Sequence, residues 1–405
     1  MYDVIVVGAR CAGASTAMLL ARRGHKVLMV DRATFPSDTM STHFIHVSGV
    51  ARLRRWGVLD RLQATDAPAE RTLTVDFGPV VLTGNPAPAE CGTDVSYAPR
   101  RKIFDALLID AAVESGVEFR QGVRVRELIF EDGRVAGICG EDSSGARFEA
   151  RARAVVGADG RDSLVARAAG ATEYFRRPSA TCNYYSYWSG FNAPHTHLFI
   201  RPGNFFVVGP TNAALTLAVA VWPVDAFVRV RRNPLQAYLD ALASVPWIRD
   251  RLATATRVEK LVGTAHLESY FRKPFGPGWA LVGDAGHNKD PITAQGMSDA
   301  FRDAELLAEA LDAALSGRRG FEDALGEYQA RRDEASIPMH ELTDDLARLA
   351  PPPPEMKELV HALEGNPREI GRFLGVMAGT VPVREFFAPD NVARIVADAR
   401  LAMAG

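Results

Sequence analysis

The order of apolar and polar residues predicts three places where a buried strand runs into a polar turn and then into a helix. The first is the apolar run 2–7, which is followed by GARCAG and an alanine-rich helical segment. The second is an apolar strand that ends just before Asp159, and the third is the short run 280–282 before Gly283 and Asp284. Strands that alternate with helices in this way are typical of the α/β class with a parallel sheet.

The rest of the chain follows other patterns. Residues 181–224 contain short runs rich in aromatic and β-branched residues, separated by Gly and Pro, which predicts an antiparallel sheet. A helical pattern over 234–254 comes next. Four prolines at 351–354 cannot continue a helix, so they predict an extended break before several amphipathic helices in 355–405.

The first junction has the residues of a dinucleotide-binding turn. Such a turn needs glycines for tight bending and close approach, and an acidic residue about 20 positions further on for a ribose. Gly8, Gly13 and Asp31 meet these requirements. Arg10 stands where the middle glycine is usual, so its side chain must point away from the turn, towards a phosphate or an acidic group. Glycine-rich turns also occur in proteins that bind no nucleotide, so this turn alone leaves both interpretations open.

The third junction places a carboxylate beside the start of a helix. Asp284 follows the apolar strand, where it can accept hydrogen bonds from hydroxyl groups. After Pro291 the helical pattern begins near Gln295, and the free amides at a helix start suit an oxygen that carries negative charge. An ordinary strand-to-helix turn with a capping aspartate is the alternative.

Together these segments resemble the cofactor motifs of the p-hydroxybenzoate hydroxylase-like family of FAD enzymes, a superfamily that also includes flavin halogenases and geranylgeranyl reductases. The second and third family motifs read DG-x-x-S-x-x-R and GDAAH, the latter followed by Pro and Gly-x-Gly. This chain has the motifs in the same order, but Gly286 stands where alanine is common, and Ala294 replaces the first glycine of the pair. Residues 97–112 are similar to the family's Arg-x-x-Phe-Asp segment, with Arg101 as the arginine.

The resemblance implies a fold and a set of cofactor contacts. The fold is α/β, with a Rossmann-like FAD-binding domain assembled from residues 1–70, 97–170 and 276–345, an antiparallel-sheet substrate domain from 71–96 and 171–275, and a helical C-terminal region at 346–405. In this family the aspartate of the last motif holds a ribityl hydroxyl group, and the helix start faces the pyrimidine edge of the flavin. The implied FAD contacts are Gly8, Arg10, Cys11, Ala12, Gly13, Asp31, Arg32, Thr42, Arg101, Asp159, Gly283, Asp284, Pro291, Gln295, Gly296 and Met297.

Candidates for the chemistry lie in residues 36–50, a stretch that runs beside the isoalloxazine in relatives. We assign His43 and His46 as candidate catalytic residues, because a histidine with an ordinary pKa of about 6.5 can exchange protons near neutral pH. The alternative is that each histidine forms a hydrogen bond to the loop backbone.

Aromatic residues alternate along the predicted strand at 184–188, so one subset must face inward. We assign Tyr184 and Trp188 to substrate binding. The sequence does not decide which face of the strand lines the pocket, and core packing is the alternative for these side chains.

Composition narrows the class of protein further. The chain has 405 residues, of which 47% are hydrophobic and 24% charged, as expected of a globular protein with a net charge of −2 that gives no reason to expect nucleic acid as a partner. Four scattered cysteines predict reduced thiols in the cytoplasm and no metal site or disulfide framework. The sequence has no apolar run of about 18 residues, so no membrane span is expected.

The resemblance implies an FAD-dependent monooxygenase of secondary metabolism that uses NAD(P)H, as a transient electron donor, and O2 on an aromatic or polyketide-like small molecule. A separate flavin reductase or a carrier protein are candidate partners, and the oligomeric state stays open. A geranylgeranyl-type reductase is the first alternative. A halogenase is less favoured, because the chain lacks a Trp-x-Trp-x-Ile-Pro segment and has no lysine in 176–209. A flavin-fold protein that binds lipid-modified partners is the non-enzymatic alternative.

Overall fold

Two large sheets, joined and covered by helices, make up the molecule in a computed structural model that describes residues 1–404. The strands are β1 (Tyr2–Val7), β2 (Val27–Asp31), β3 (Ala69–Glu70), β4 (Leu73–Asp76), β5 (Val81–Gly84), β6 (Ser96–Tyr97), β7 (Glu118–Gln121), β8 (Arg124–Glu131), β9 (Arg134–Glu141), β10 (Arg147–Gly157), β11 (Glu173–Arg177), β12 (Thr181–Ser189), β13 (Thr196–Arg201), β14 (Asn204–Thr211), β15 (Leu215–Pro223), β16 (Thr256–Arg257), β17 (Val262–Thr264), β18 (Ser269–Arg272), β19 (Phe275–Gly276), β20 (Trp279–Leu281) and β21 (His287–Asn288).

The helices within these residues surround the two sheets. They are α1 (Cys11–Ala21), α2 (Val47–Arg55), α3 (Leu59–Gln63), α4 (Arg101–Glu114), α5 (Leu164–Ala168), α6 (Phe227–Val230), α7 (Pro234–Ala243), α8 (Pro246–Leu252), α9 (Gly296–Leu315), α10 (Phe321–Ala347), α11 (Pro354–Leu363), α12 (Pro367–Ala378), α13 (Val383–Phe386) and α14 (Pro389–Ala404). Short 3-10 helices cover Val224–Ala226, Gly283–Ala285 and Pro291–Thr293. None of the helices is both long and apolar enough to cross a membrane.

The first sheet has the order β19-β20-β10-β1-β2-β7, and strands β20, β10, β1, β2 and β7 run parallel. Strand β1 is apolar on both faces because both are covered. Val4 and Val6 pack against helices α1, α4 and α9, whereas Ile5 and Val7 pack against α5 and the β8–β9 hairpin. The carboxyl ends of β1, β2, β10 and β20 therefore share one edge, which is where open α/β sheets bind ligands.

The second sheet has the order β16-β12-β15-β14-β13-β4-β5 and is antiparallel except for the β13–β4 pair. Helices α6, α7 and α8 cover one face of it. The C-terminal helices pack against β4 and β5, so the C-terminal region belongs to this sheet rather than to the first. The structure thus confirms the α/β fold class and the helical C-terminal region.

The helix predicted over 234–254 is in fact two helices, α7 and α8. They separate at Ser244 and Val245, and Pro246 begins the second one. A proline cannot donate the backbone hydrogen bond that would continue α7, and it disfavours helical geometry in the residue before it. Val245 is accordingly extended, with φ −97° and ψ 112°.

Candidate functional site

The turns after β1 and β10 pack directly against each other at the shared edge of the first sheet. Gly8 has φ +105°, and a Cβ atom there would overlap the carbonyl oxygen of Ala158. A Cβ atom on Gly13 would overlap the carbonyl oxygen of Gly8. Both positions therefore need glycine, because the backbone of α1 and two turns leave no room for a side chain.

The turn after β20 joins the same edge. Gly283 has φ +61°, and a Cβ atom on it would lie 2.7 Å from the Cβ atom of Ala12, at the start of α1. The three sequence motifs, far apart in the chain, thus meet within one cluster of turns. A cleft built from the ends of neighbouring parallel strands suits one elongated ligand with phosphates and hydroxyls.

Asp31 is held at the end of β2 by two backbone amides. Its Oδ2 accepts the N–H of Ala9 at 2.8 Å, and its Oδ1 accepts the N–H of Ala33 at 2.8 Å. Each carboxylate oxygen keeps a further lone pair for a ribose hydroxyl. The neighbouring Arg32 side chain is exposed.

Arg10 points away from the turn and pairs with a buried carboxylate. Its Nη1 lies 2.5 Å from Oδ2 of Asp105, which is fully buried, and Arg101 Nε lies 3.0 Å from the other oxygen. Cys11 Sγ lies 3.5 Å from the same carboxylate, and burial raises the pKa of this thiol to about 12, so it stays protonated. Two guanidinium groups against one carboxylate leave an excess positive charge beside the turn, which favours a phosphate. Asp105 is the aspartate of the Arg-x-x-Phe-Asp segment, and it was given no role from the sequence, although it lies one helical turn after Arg101.

Asp159 caps helix α5. Its Oδ1 accepts the Ser163 hydroxyl proton at 2.5 Å, and its Oδ2 accepts the N–H of Leu164 at 2.7 Å. Ser163 in turn accepts the N–H of Ala166 at 2.9 Å. The carboxylate of Asp159 therefore caps a helix, while the backbone of this residue lies at the cofactor edge next to Gly8.

Asp284 has a free carboxylate. Asp284 is accessible to solvent although Gly283 and Ala285 on either side of it are buried, and desolvation by the surrounding protein raises the pKa of its carboxyl group. Within residues 1–404 its carboxylate accepts no hydrogen bond, although its carbonyl oxygen accepts one from Tyr270 at 2.8 Å. An accessible carboxylate without a protein partner is well suited to ligand hydroxyls.

The loop before α9 leaves the helix start open. Pro291 begins a short 3-10 helix, and Ala294 ends it with φ 53° and ψ 27°, a left-handed conformation that glycine adopts more easily. Gln295 turns its side chain away, and its Nε2 donates to the carbonyl oxygen of Met377 at 2.7 Å. A Cβ atom on Gly296 would meet nothing within 4 Å, so there is open space beside the helix start. The amides of Gly296 and Met297 belong to the first turn of α9 and have no partner within the helix. These residues fit the carbonyl edge of a flavin ring.

A buried group of charges lies beneath this loop and keeps α9 in place. Lys289 Nζ lies 2.5 Å from Asp299 Oδ2, and Arg302 lies 2.8 Å from both Asp299 and Asp303. His287, which follows the third motif, is buried with Nδ1 3.6 Å from Asp303. These contacts join the segment after Asp284 to the first turns of α9.

His43 is fully buried and forms a hydrogen bond through Nε2 to the hydroxyl group of Tyr187. Its backbone is left-handed, with φ 60°. Burial, followed by the charge of Arg101, lowers the pKa of His43 to about 3, so the ring is neutral near pH 7. Burial also raises the pKa of Tyr187. The structure thus brings together a neutral imidazole and a neutral phenol; Thr42, beside His43, is half-buried.

Arg100 fixes the orientation of this pair. Its guanidinium carbon lies 3.9 Å from the ring centroid of Tyr187, and its side chain forms ion pairs of 2.8 Å with Asp38 and Glu259. The residue is buried, at 4% exposure, so it is not a solvated surface charge. Arg100 therefore holds the ring of Tyr187 next to His43 through a cation–π contact.

Tyr184 and Trp188 lie on the face of β12 that packs under helices, which matches the core-packing alternative, so their assignment to substrate binding stays a prediction. Trp188 donates from Nε1 to the hydroxyl group of Tyr238 at 3.0 Å, and both Tyr184 and Trp188 pack in the core under α7 and α8. Tyr185 and Tyr187 lie on the opposite face of β12, in the same buried cluster as Ile292 of the loop before α9. Alternation along a strand predicts two faces but does not say which one packs against helices.

His46, just before α2, forms hydrogen bonds to α9 and to the loop before it. Its Nε2 lies 3.0 Å from the carbonyl oxygen of Thr293, and its N–H donates to Ser298 Oγ at 3.3 Å. Burial lowers the pKa of His46 to about 4. Because its ring bonds to loop backbone, this geometry matches the structural alternative, and a role in the chemistry remains only a prediction.

A separate groove lies on the outer side of the second sheet. It is lined by residues of β14, β15 and the α6–α7 region, among them Asn204, Arg229 and Gln236. None of the residues assigned to the cofactor or to chemistry lines it. The candidate site is therefore the edge described above rather than this groove.

The geometry of the candidate site agrees with the protein family and the relatives that this chain matches. Residues 1–341 match the family described as FAD binding domain, and the chain belongs to this family of FAD-dependent oxidoreductases. Relatives include a digeranylgeranylglycerophospholipid reductase of Methanocella arvoryzae, 28% identical over 341 residues that cover 82% of this chain and 83% of the relative. A 1H-pyrrole-2-carbonyl-[peptidyl-carrier protein] brominase of Pseudoalteromonas luteoviolacea is 26% identical, with 78% of each chain covered.

Solved structures share the fold at lower sequence identity. The flavin-dependent brominase Bmp2 superposes with a TM-score of 0.83 at 19% identity and 99% coverage of each chain. PqsL, a probable FAD-dependent monooxygenase from Pseudomonas aeruginosa, has a TM-score of 0.69 at 22% identity, with 93% of this chain and 99% of PqsL covered. At such identities the likeness concerns the fold alone.

Proposed function

We propose that the protein is an FAD-dependent monooxygenase that uses NAD(P)H and O2 to oxygenate an aromatic or polyketide-like small molecule. The observation that carries this proposal is the wall formed by the buried rings of His43, Tyr185 and Tyr187, which packs with Ile292 of the loop before α9. The Tyr185 ring is nearly perpendicular to the rings of His43 and Tyr187. Aromatic rings with two hydroxyl groups beside this loop suit an aromatic substrate.

The cofactor-binding residues would act by position and charge. Asp284 and the amides of Gly296 and Met297 would hold FAD at its middle and at its ring, and Arg10 with Arg101 would favour its phosphates. Bound FAD supplies the redox chemistry, namely acceptance of a hydride from NAD(P)H and reaction with O2. The buried surroundings of this edge would exclude water from the reacting atoms.

The His43–Tyr187 pair would handle a proton of the substrate. With His43 Nε2 as acceptor, Tyr187 donates its hydroxyl proton to the ring and keeps its oxygen free to accept a hydrogen bond from a substrate hydroxyl group. Both groups are neutral near pH 7, so the pair orients the substrate without placing a charge against it. Arg100 keeps the phenol ring in position for this contact.

The test is oxygen uptake by the FAD-loaded protein. We expect NADPH oxidation to be stimulated by some members of a panel of hydroxylated aromatics, with O2 consumed and little peroxide released. NADPH oxidation and O2 uptake that no panel member changes would contradict a monooxygenase with an aromatic substrate. A colourless protein that does not take up FAD would contradict the whole proposal.

Two other activities are suggested by named relatives. The 28% identity to a digeranylgeranylglycerophospholipid reductase favours reduction of a carbon–carbon double bond, which would proceed without O2. The relative named as a brominase favours halide-dependent product formation. Anaerobic turnover would identify the reductase, and a product whose mass changes with added bromide would identify the halogenase.

The partners we propose follow from the same relatives. The brominase is named for a substrate on a peptidyl carrier protein, so a carrier-bound substrate is a candidate for this chain. The four cysteines are free thiols, which suits the reducing cytoplasm. No second nucleotide domain is evident in the described folds, so NAD(P)H would bind transiently or serve a separate flavin reductase.

A further inference from the structure

Arg10, which stands where the middle glycine of the first turn is usual, reaches out of the turn and holds a second segment of the chain. Its Nη2 donates to Ser37 Oγ at 3.0 Å and to the carbonyl oxygen of Asp38 at 3.3 Å, and its Nη1 donates to the carbonyl oxygen of Ser37 at 3.4 Å. Because Nη1 also pairs with the buried carboxylate of Asp105, one guanidinium group joins α4 to residues 37 and 38. The function proposed above uses only the positive charge of Arg10 and leaves these contacts unexplained.

The segment that Arg10 holds is the strap, residues 34–44, which lies between β2 and α2. The strap contains no helix or strand, and none of its backbone groups forms a hydrogen bond to another backbone group within residues 1–404. Met40, near its middle, is 41% exposed. A segment without backbone pairing opens easily, so side-chain contacts must fix its position.

Within the described residues, three side chains from outside the strap form hydrogen bonds to its first half. Gln121 accepts a backbone N–H of the strap through Oε1 at 3.0 Å, and Arg10 contacts Ser37 and Asp38 as described. Arg100 donates from Nη2 to Asp38 Oδ2 at 2.8 Å. Two arginines thus meet at Asp38, one at its carbonyl oxygen and the other at its carboxylate.

The second half of the strap carries His43 to the wall of the candidate site. His43 is fully buried, with its ring bonded to the hydroxyl group of Tyr187 and its backbone in the left-handed region at φ 60°. A residue other than glycine keeps this conformation only where its surroundings hold it there. The contacts of Arg10 lie on the same strap, so a strap displaced from Arg10 also loses the support that holds His43.

We propose that Arg10 is a positioning residue, which holds the strap so that His43 stays against Tyr187. The role needs the planar guanidinium group, because Nη1 and Nη2 serve Asp105 and the strap at the same time, whereas a lysine has one compact ammonium group. The inference rests on the proposed function in one respect, since the substrate that the His43–Tyr187 pair orients is taken to be aromatic.

The test is Arg10→Lys, which keeps the positive charge beside the turn and removes the double contact. We expect FAD affinity within about threefold of the parent, measured by fluorescence quenching. Cleavage of the strap by thermolysin, on the amino side of the exposed Met40, should be at least about tenfold faster with and without FAD. Arg23→Lys is the matched control, because Arg23 also lies 3.9 Å from a carboxylate, that of Asp312, but donates its hydrogen bond to Leu19 and not to the strap.

A kinetic readout separates positioning from a general loss of structure. In Arg10→Lys, kcat of aromatic-stimulated O2 uptake should fall at least about tenfold, with KM within about threefold and more peroxide released, because the substrate binds but is misaligned. Ser37→Ala should show the same changes in smaller measure, since it removes the 3.0 Å contact and leaves the Arg10–Asp105 pair intact. Added to Arg10→Lys, it should have little further effect, because both variants act on the same contact.

Two outcomes would overturn the proposal. One is strap cleavage and kcat at parent values in both Arg10→Lys and Ser37→Ala. The other is a loss of FAD affinity above about tenfold in Arg10→Lys with strap cleavage unchanged, which would make Arg10 a phosphate ligand only. Thermolysin cleavage needs no turnover, so it tests the strap even if no aromatic compound stimulates O2 uptake, a result that would contradict the proposed function alone.

Discussion

The two sides of the candidate site are built by different means. The cofactor edge is fixed by backbone packing, since Gly8, Gly13 and Gly283 leave no space for a side chain. The wall that we propose faces the substrate is made of side chains, chiefly Tyr187 and His43, held by Arg100 and by one another. Substitutions at the cofactor edge should therefore act through steric overlap. Substitutions in the wall should act through the loss of single hydrogen bonds.

The largest effect should come from filling the backbone contact at Gly8. Gly8→Ala places a methyl group on the Ala158 carbonyl oxygen in a left-handed conformation, so we expect about 4 kcal/mol of lost stability and loss of FAD binding. Urea unfolding and FAD content measure both. Gly24→Ala is the control, because Gly24 also has positive φ but open space around it. Comparable losses of stability in the two variants would show that the positive φ angle, and not the contact with Ala158, causes the effect.

Removal of a single ligand contact at the same edge should have a smaller effect. Asp284→Ala should weaken FAD binding about 10- to 100-fold, the value of a hydrogen bond to a charged group, without loss of apo-protein stability. Fluorescence quenching of FAD gives the affinity, and Asp250→Ala, an exposed aspartate, is the control. Equal FAD retention in mutant and parent would remove Asp284 from the site.

The buried histidine of the opposite wall predicts a pH effect on stability. Burial lowers the pKa of His43 to about 3, whereas the unfolded chain protonates it near the ordinary value of about 6.5. The unfolded state then binds more protons, so the stabilisation is complete above about pH 6.5 and decreases as pH falls towards about 3. For one such group the loss between about pH 7.5 and pH 5 is about 2 kcal/mol.

His43→Gln should remove that part of the pH dependence. Urea unfolding at both pH values measures it, and His361→Gln, at an exposed histidine, should leave it intact. A parent-like slope in His43→Gln would mean that the imidazole is solvated rather than buried.

The same contrast explains what could be predicted from the sequence. Gly8, Gly13, Gly283 and Asp284 could be predicted as cofactor-edge residues because turn geometry fixes residue type and spacing along the chain. Tyr187 was passed over in favour of Trp188 because the strand pattern gives two faces and the partner elements, α7 on one side and the loop before α9 on the other, come from distant sequence.

The charged residues of the site differ in how far they could be predicted from the sequence. Asp105 had a local signal, since it lies four residues after Arg101 on one helix face. Arg100 had none, because its burial depends on a contact with Glu259, more than a hundred residues away. Candidate chemistry could thus be predicted where it depends on backbone, and not where it depends on side chains from separate segments.

The choice of face on β12 can be tested directly. Tyr187→Phe removes the hydroxyl group that contacts His43, so we expect at least a tenfold loss of aromatic-stimulated O2 uptake at little cost in stability. Tyr184→Phe is the matched control on the opposite face, in the core with α7 and α8. If the two variants behave alike, the wall described here does not touch the substrate.

The smallest effect concerns the alanine that replaces a family glycine. Ala294 has φ 53°, a conformation that costs an L-residue about 1–2 kcal/mol. Ala294→Gly relieves this strain but gives the unfolded chain more freedom, worth about 0.5–1 kcal/mol, so the net gain in stability should be about 0.5 kcal/mol.

Ala213→Gly is the control that relieves backbone strain at a residue away from the proposed cofactor. Ala213 has φ 62° and is exposed, away from the cofactor edge, so this variant should gain similar stability with unchanged FAD affinity. Ala294→Gly should instead bind FAD at least as tightly as the parent, because the methyl group stands beside the open amides of α9. Weaker FAD binding by Ala294→Gly would show that the Ala294 methyl group makes a favourable contact with the flavin. The affinity for FAD would then depend on this side chain and not on the loop backbone alone.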